Sequence, residues 1–487
     1  MQRQVITPGI WWQARRLEAS ALTPGMRIVR WASLVAVLLS AITVAFDWSA
    51  IVAVLAAPGA LLDRLLALAL QQKLQVVLLM LSAALLVANA KQAAWLEPYG
   101  EQQLLNTEWG QAKIAAIVIK PANPDERIVH RLRAGWHNKA WNRRLVELSF
   151  LDDASAGPRW SLAAAPWVPA DPLDEDLRRY AIRRVLRAGA RLTNDPKLRL
   201  AGDLDLRCAS GDTGSGRNLI QNTDYVASLA TDQLAFTRVF RAASAEQVIH
   251  DPIAAFLAPV LSGSRYRLRR LSECVNISNQ LGASTLAFTV DGHLLLTSQT
   301  PRNAQSQGML APSGSGSMDK GDLGGAGEGT LITLVQNAAA RELLEESGVG
   351  HRLPPGMTLA AFAADHVRVF GFGRMIHRAG KPEFYCLAVL PFTSAEVNGM
   401  DVLARERPFT DKTEIVGICP VDPAAPIGPQ LMSLCRFFTS PQAGGQQGQR
   451  ASFPLYHALA MLQEIIADGG IHGDSLASFL QARLARR

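Results

Sequence analysis

Two stretches without a charged residue dominate the hydropathy pattern of the chain: WASLVAVLLSAITVAF, from Trp31 to Phe46, and LQVVLLMLSAALLVANA, from Leu74 to Ala90. Neither shows the polar face of a surface helix. At a rise of ~1.5 Å per residue each covers roughly 25 Å, and the flanking apolar residues extend that towards the ~30 Å hydrocarbon core of a bilayer. The pattern predicts two N-terminal transmembrane helices within residues 31–90. The connection between them carries Asp63 and Arg64 side by side and Pro58-Gly59 at its centre, and reads as a loop or interfacial helix. Arg3, Arg15, Arg16, Arg27 and Arg30 precede the first span, whereas the connection holds only Arg64 and Lys73 as basic residues. The positive-inside rule then puts both termini in the cytoplasm.

Beyond Lys91 the pattern is globular. KIAAIVIK and LVELSF read as strands. Asp171-Pro172 offers a cap and first turn for the helix LRRYAIRRVLRAGARL, whose Arg178, Arg179, Arg183, Arg184, Arg187 and Arg191 form either a solvated face or a patch for anionic lipid or polyphosphate. GDTGSGRN, Gly211 to Asn218, lacks the Gly-Lys-Ser/Thr ending of a phosphate loop and reads as a turn. From Ser284 to Gln299, apolar runs flank Asp291-Gly292 and predict a hairpin. A Gly/Ser-rich passage follows, then a helix, TLVQNAAARELLEESGVG, closed by Gly348. HVRVFGFGRMI and EFYCLAVLPF read as strands, and Phe453 to Ala467 and Ser475 to Arg486 as helices after a polar linker. The resulting division is a tail (1–30), the membrane segment (31–90), a mixed α/β middle region of unassigned fold (91–274), a C-terminal α/β domain (275–440), and a linker with C-terminal helices (441–487).

Composition narrows the chemistry only a little. With 48% hydrophobic and 19% charged residues, wholesale disorder is excluded. The five cysteines are widely spaced with no C-x-x-C pair, which excludes a disulfide framework and a zinc finger. The nine histidines show no metal-ligand spacing either, so no zinc is expected. A formal charge of +7 suits phosphate-bearing ligands or a membrane surface without choosing between them.

One segment carries chemistry. In Arg341-Glu342-Leu343-Leu344-Glu345-Glu346-Ser347-Gly348-Val349 the three glutamates are three and four residues apart, so on a helix their carboxylates share about a third of the circumference. Three such anions repel unless cations compensate them, and converging hard oxygens suit Mg²⁺ or Mn²⁺. Arg341 can pair with Glu345 one turn on. Downstream, Arg374, Arg378 and Lys381 with Glu383 form either a ligand clamp or a surface hairpin.

This nonapeptide resembles the REUxEExGU half of the Nudix box at every fixed position, U being a bulky aliphatic residue, and a hairpin, a Gly-rich loop, a helix and a Gly turn occur in the family's order. The resemblance covers roughly residues 275–440. It implies a C-terminal Nudix α/β/α sandwich, metal binding by Glu342, Glu345 and Glu346, catalytic roles for these and Arg341, and magnesium-dependent hydrolysis of nucleoside diphosphate derivatives. The family pattern places Gly at 327, which is present, and Glu at 333, where this chain has Thr333. Asp319 and Glu328 are the nearby carboxylates that would replace it. With the membrane stretches, the architecture resembles the membrane-anchored Nudix effectors of bacterial cyclic-oligonucleotide antiphage defence. That implies a multi-pass protein of the bacterial inner membrane, a homo-oligomer against the lipid bilayer, that senses a nucleotide such as a cyclic oligonucleotide and then disrupts the membrane or degrades a nucleotide. The alternative is an anchored Nudix hydrolase. Double-stranded nucleic acid is not an expected partner.

Overall fold

The computed structural model describes residues 99–103, 121, 123–131, 133–170, 175–187, 196–208, 217–241, 244–252, 261–262, 267–299, 309–398, 410–415, 421–439 and 451–484. Almost all belong to one compact unit, Gly100–Phe240 with Ala245–Arg487. The other unit, Met1–Tyr99 with Arg241–Ser244, is described only at Tyr99, Arg241 and Ser244.

The first half of the main unit contributes β1 (Glu126–Arg131), β2 (Arg133–Asn138), α1 (Lys139–Ser149), β3 (Arg159–Leu162), α2 (Glu175–Arg187), β4 (Pro196–Leu200) and β5 (Arg217–Asp224). Then come β6 (Gly282–Thr289), β7 (Leu294–Gln299), β8 (Leu310–Ala311), β9 (Gly314–Ser317), β10 (Glu328–Thr330) and α3 (Leu331–Ser347). The remainder is α4 (Leu359–His366), β11 (Val367–Met375), β12 (Lys381–Leu390), β13 (Thr410–Ile415), α5 (Ile427–Thr439), α6 (Phe453–Ala467) and α7 (Ile471–Leu484).

The principal sheet runs β8-β7-β6-β12-β11-β2-β1, with β9 paired to β6 and β13 to β7. β6 and β12 are parallel in the centre, in register from Gly282↔Glu383 to Thr289↔Leu390. Residues of both parities are buried along β6, β7 and β12, so both faces of the sheet are covered. Leu286, Phe288, Phe370, Tyr385, Leu387 and Val389 form one core with residues of α5, α6 and α7, and α3 packs on β9, β6 and β11. The predicted hairpin is present, with Ala287↔Leu295 and Phe288↔Leu294 in register and Gly292 at φ 81° in the turn.

The expectation of two N-terminal transmembrane helices is overturned as part of the fold class, and with it the multi-pass placement in the bacterial inner membrane. Among the described residues no helix is long and apolar enough to cross a membrane. The longest of them, α3, has 17 residues and carries Arg341 and three glutamates. Trp31–Phe46 and Leu74–Ala90, on which the expectation rested, lie outside the described residues. KIAAIVIK does too.

LVELSF, read as a strand, is helical in α1. Asn138 caps the helix by accepting from the Trp141 amide at 3.1 Å, and Asn142, Leu145, Val146 and Ser149 are buried at helical spacing. The middle region is not a separate layer either. β1 and β2 extend the principal sheet, β2 by pairing with β11 at Gly373 to Met375 and β1 by pairing with β2. Where that pairing stops, α1 supplies acceptors: Ser149 Oγ takes the Val369 amide at 2.8 Å and Asn142 Oδ1 the Phe372 amide at 3.0 Å, beside an irregularity between Val369 and Gly371. A second sheet, β10-β3-β5-β4, is stitched to the first where Leu198 donates to Met318 O and accepts from Leu281 N, both at 2.9 Å. α6 is pinned by a buried chain in which Glu464 meets His137 at 2.8 Å, His137 meets His457 at 3.1 Å and His457 meets the Tyr385 hydroxyl at 3.0 Å. Burial and His137 hold His457 well below the usual histidine pKa, so it stays neutral.

Because Asn142 satisfies a buried strand amide, Asn142→Leu is expected to cost about 1–3 kcal/mol. Urea unfolding of the variant should show a lower midpoint at an unchanged slope; an unchanged midpoint would mean that the Phe372 amide finds water.

Candidate functional site

The site is built where a glycine-rich strand meets a helix. β9 reads Gly-Ser-Gly-Ser and lies directly against α3. A Cβ on Gly314 would stand 2.4 Å from Leu343 Cα, and one on Gly316 would stand 2.1 Å from Glu342 Cδ. Only bare backbone allows that approach. The backbone in turn receives the helix carboxylates: Glu342 and Glu346 are buried, and Glu346 Oε2 accepts the Ser315 amide at 3.2 Å.

The start of α3 is fixed from the second sheet. The Leu331 amide donates to Pro158 O at 2.8 Å, and Thr330 pairs with Arg159 through β10 and β3. The helix ends at Gly348 with φ 76°, as its Gly turn predicts. Thr333, which stands where the Nudix pattern has Glu, shares a hydrogen bond with the Thr330 hydroxyl at 2.7 Å.

Arg341 organises the charges. Its Nε and Nη2 grip the Asp322 carboxylate at 2.7 and 3.0 Å, and Nη2 also donates to Ser317 O at 3.1 Å. Nη1 donates to Glu342 Oε1 at 2.9 Å and lies 3.5 Å from Glu345 Oε2, while Asp319 Oδ2 is 3.6 Å from Nη2. Burial alone would lower the guanidinium pKa, but Glu342, Asp322 and Asp319 outweigh it and push the pKa up, so Arg341 is cationic throughout the accessible range.

Of the two carboxylates expected to stand in at position 333, Glu328 is turned to Arg217 at 3.1 Å and Arg159 at 3.9 Å, and Asp319 reaches Arg341 only at longer range. Asp322, not singled out by the sequence reading, makes the close contact. Its signal was the Asp319-x-x-Asp322 spacing of a capping box, which the structure shows around the short helical turn Lys320–Leu323.

The downstream residues occupy another buried cluster. Arg374 donates to Gly380 O at 2.9 Å and also to Arg269 O, and burial depresses its pKa. Lys381 pairs with Glu383, which accepts from Ser284 Oγ at 2.7 Å. Burial lowers the Lys381 pKa against the pull of Glu383. Both side chains lie over Gly282, where a Cβ would meet Glu383 Oε2 at 1.9 Å. Arg378 is half-buried with an unpartnered Nε and, with Lys381, offsets the burial that raises the Asp232 pKa. Arg374 and Lys381 are thus committed to protein partners.

Three glutamates on one helix form a donor set of the right chemistry for a hard divalent cation. In the arrangement present, Nη1 of Arg341 lies between Glu342 and Glu345, and among the described residues no three His, Cys, Asp or Glu side chains converge on one metal position. No family model matches the chain, and no match was found among curated proteins. The likeness to Nudix sequences therefore rests on the sequence, above all on residues 341–349.

Gly314→Ala is expected to be severely destabilising, because the obstructing atoms are helix backbone. Gly316→Ala meets a side chain that can swing away, so it should fold and lose Glu342 from its place. Thermal melts that rank the two variants in the opposite order would contradict this packing.

Proposed function

We propose that α3 carries a divalent-cation-dependent nucleotide site and that the protein hydrolyses a phosphoanhydride bond in a nucleoside diphosphate derivative. The observation that carries this reading is the burial of Glu342 and Glu346 on one face of α3 beside Arg341, within a segment that matches the REUxEExGU pattern. Clustered buried carboxylates are costly unless cations compensate them. Glu342, Glu345 and Glu346 would hold Mg²⁺ or Mn²⁺, which when bound neutralises charge on a phosphate and makes water a better nucleophile. Arg341 orients Glu342, and the Ser315 amide orients Glu346. Gly324 and Gly325 of the glycine-rich loop are exposed, with nothing within 4 Å of where a Cβ would stand.

A second reading, a nucleotide sensor that binds without turnover, is favoured by Thr333, whose hydroxyl is spent on Thr330 and brings no carboxylate to the site. In that reading a nucleotide second messenger, cyclic oligonucleotides included, would be the ligand of a defence effector.

Incubating the protein with Mg²⁺ and a panel of dinucleotides, nucleotide sugars and cyclic oligonucleotides, while following both binding and breakdown, separates the two. The hydrolase predicts cleavage that Glu346→Gln reduces by at least about a hundredfold, the range typical for loss of a group acting in the transition state. Binding without cleavage would favour the sensor, and neither event would remove nucleotides from the account.

Glu346→Gln should also weaken stabilisation by Mn²⁺. Ligand linkage raises stability by about 2.7 kcal/mol at a hundredfold excess over Kd, and that gain should shrink in the variant. Identical Mn²⁺-dependent melting for both proteins would take Glu346 out of the site.

A further inference from the structure

We propose that the buried His137–His457 pair is an acid-sensitive latch: it fastens α6 to β2 and β12 at neutral pH and releases that helix as the solution becomes acidic. The latch does not depend on the reading of α3. Both rings are 0% exposed. The His457 ring lies over bare backbone, since a Cβ on Gly135 of β2 would stand 2.8 Å from its Cε1 and one on Gly373 of β11 2.7 Å. The Tyr385 and Phe453 rings close around it, with centroids 5.3 and 5.4 Å away. A charge placed there would lose its water.

The hydrogen bonds of the chain run in one direction. A carboxylate only accepts, so Glu464 takes the proton on His137 Nε2, at 2.8 Å. In the neutral pair His137 Nδ1 then accepts from His457 Nε2 at 3.1 Å, and His457 Nδ1 accepts from the Tyr385 hydroxyl at 3.0 Å. Each contact holds one hydrogen. One added proton has a place, on His137 beside Glu464, if the His457 tautomer and the Tyr385 hydroxyl reverse. A second has none: it would set N–H against N–H between two cationic rings with centroids 5.3 Å apart, opposite one carboxylate. Burial and the His137 ring accordingly hold the His457 pKa well below the usual histidine value.

The surrounding charges do not supply the missing anion. Glu464 is already approached by Arg127 of β1 at 3.7 Å and Lys139 of α1 at 3.9 Å, and Asp468 is taken by Arg143 at 2.6 Å. Glu383, two residues before Tyr385 on β12, is held by Lys381. His377, beyond β11, packs edge-on against Phe453 at 4.8 Å. On α7, His472 is turned to Glu147 at 2.9 Å, and Arg436 of α5 is exposed. β6 and β8 carry no ionisable side chain.

In the unfolded chain both imidazoles take a proton below about pH 6.5, whereas the folded pair takes at most one. A base whose folded-state pKa is depressed contributes stability that is complete above the unfolded value and is lost as the pH falls below it. The difference of one proton lowers the folded-to-unfolded ratio by up to about tenfold per pH unit.

Urea unfolding of the full chain between about pH 7.5 and pH 5, with hydrogen exchange of the α6 amides corrected for intrinsic rates, tests this. Wild type is expected to lose stability more steeply than His457→Gln, by about tenfold in the ratio per pH unit below pH 6.5, and α6 of wild type should exchange faster in acid, ahead of α3. His457→Asn, which also removes the titrating ring, gives the same comparison if the Gln variant does not fold. Parallel pH curves for wild type and variant would overturn the latch. So would acid exchange in wild type that rises equally in α6 and α3 or leaves α6 unchanged, a result that decides the matter even if neither variant folds.

Discussion

The arrangement depends on the approach of two backbones. β9 can lie on α3 because Gly314 has no side chain, with Leu343 Cα in the place where its Cβ would be, and the Glu342 carboxylate fills the corresponding place at Gly316. That contact buries Glu342 and Glu346 against a strand whose Ser315 amide offers a donor, and it brings Ser317 O to Arg341. Carboxylates held this way lose water before they gain a ligand, so the charges around them decide what the site does. Arg341 is the first of those charges, and Asp322 determines where it points.

The scaffold around this contact comes from distant parts of the chain. The entry to α3 is fixed by Pro158 and β3, the turn carrying Asp322 is bridged to β4, and the edge of β11 is completed by Asn142 and Ser149 of α1. On the other face, α6 is fastened through the buried His137–His457–Tyr385 chain. The described residues 123–240 are thus structural parts of the same unit as the candidate site, and a fragment beginning at the hairpin would lack β4 itself and the partners of β10 and β11.

Local signals in the sequence were sufficient for the hairpin at Asp291-Gly292, for α3 with its Gly348 stop, for β11 and β12, and for α6, whose predicted limits of Phe453 and Ala467 are those observed. They failed for α1, because a six-residue apolar run does not by itself distinguish a strand from a helix; the helical spacing of Asn142, Leu145, Val146 and Ser149 becomes evident only over a longer window that includes polar residues. Glu342, Glu345 and Glu346 were legible because all lie on one helix. Asp322 was not, since its partner is 19 residues away across a Gly-rich loop whose path has no periodicity. Arg374 and Lys381 read as either a ligand clamp or a surface hairpin, and burial gives them protein partners that spacing cannot reveal.

The central claim is that the α3 carboxylates form a cation-dependent nucleotide site organised by the Asp322–Arg341 pair. A crystal structure with Mn²⁺ and a non-hydrolysable nucleoside diphosphate analogue, located by anomalous scattering, tests it most directly. The account predicts Mn²⁺ coordinated by oxygens from at least two of Glu342, Glu345 and Glu346, together with a phosphate oxygen, at distances near the ~2.0–2.2 Å usual for small hard divalent ions, and Asp322 still bidentate on Arg341. Full Mn²⁺ and analogue occupancy elsewhere, with Arg341 still bridging Glu342 and Glu345, would contradict it.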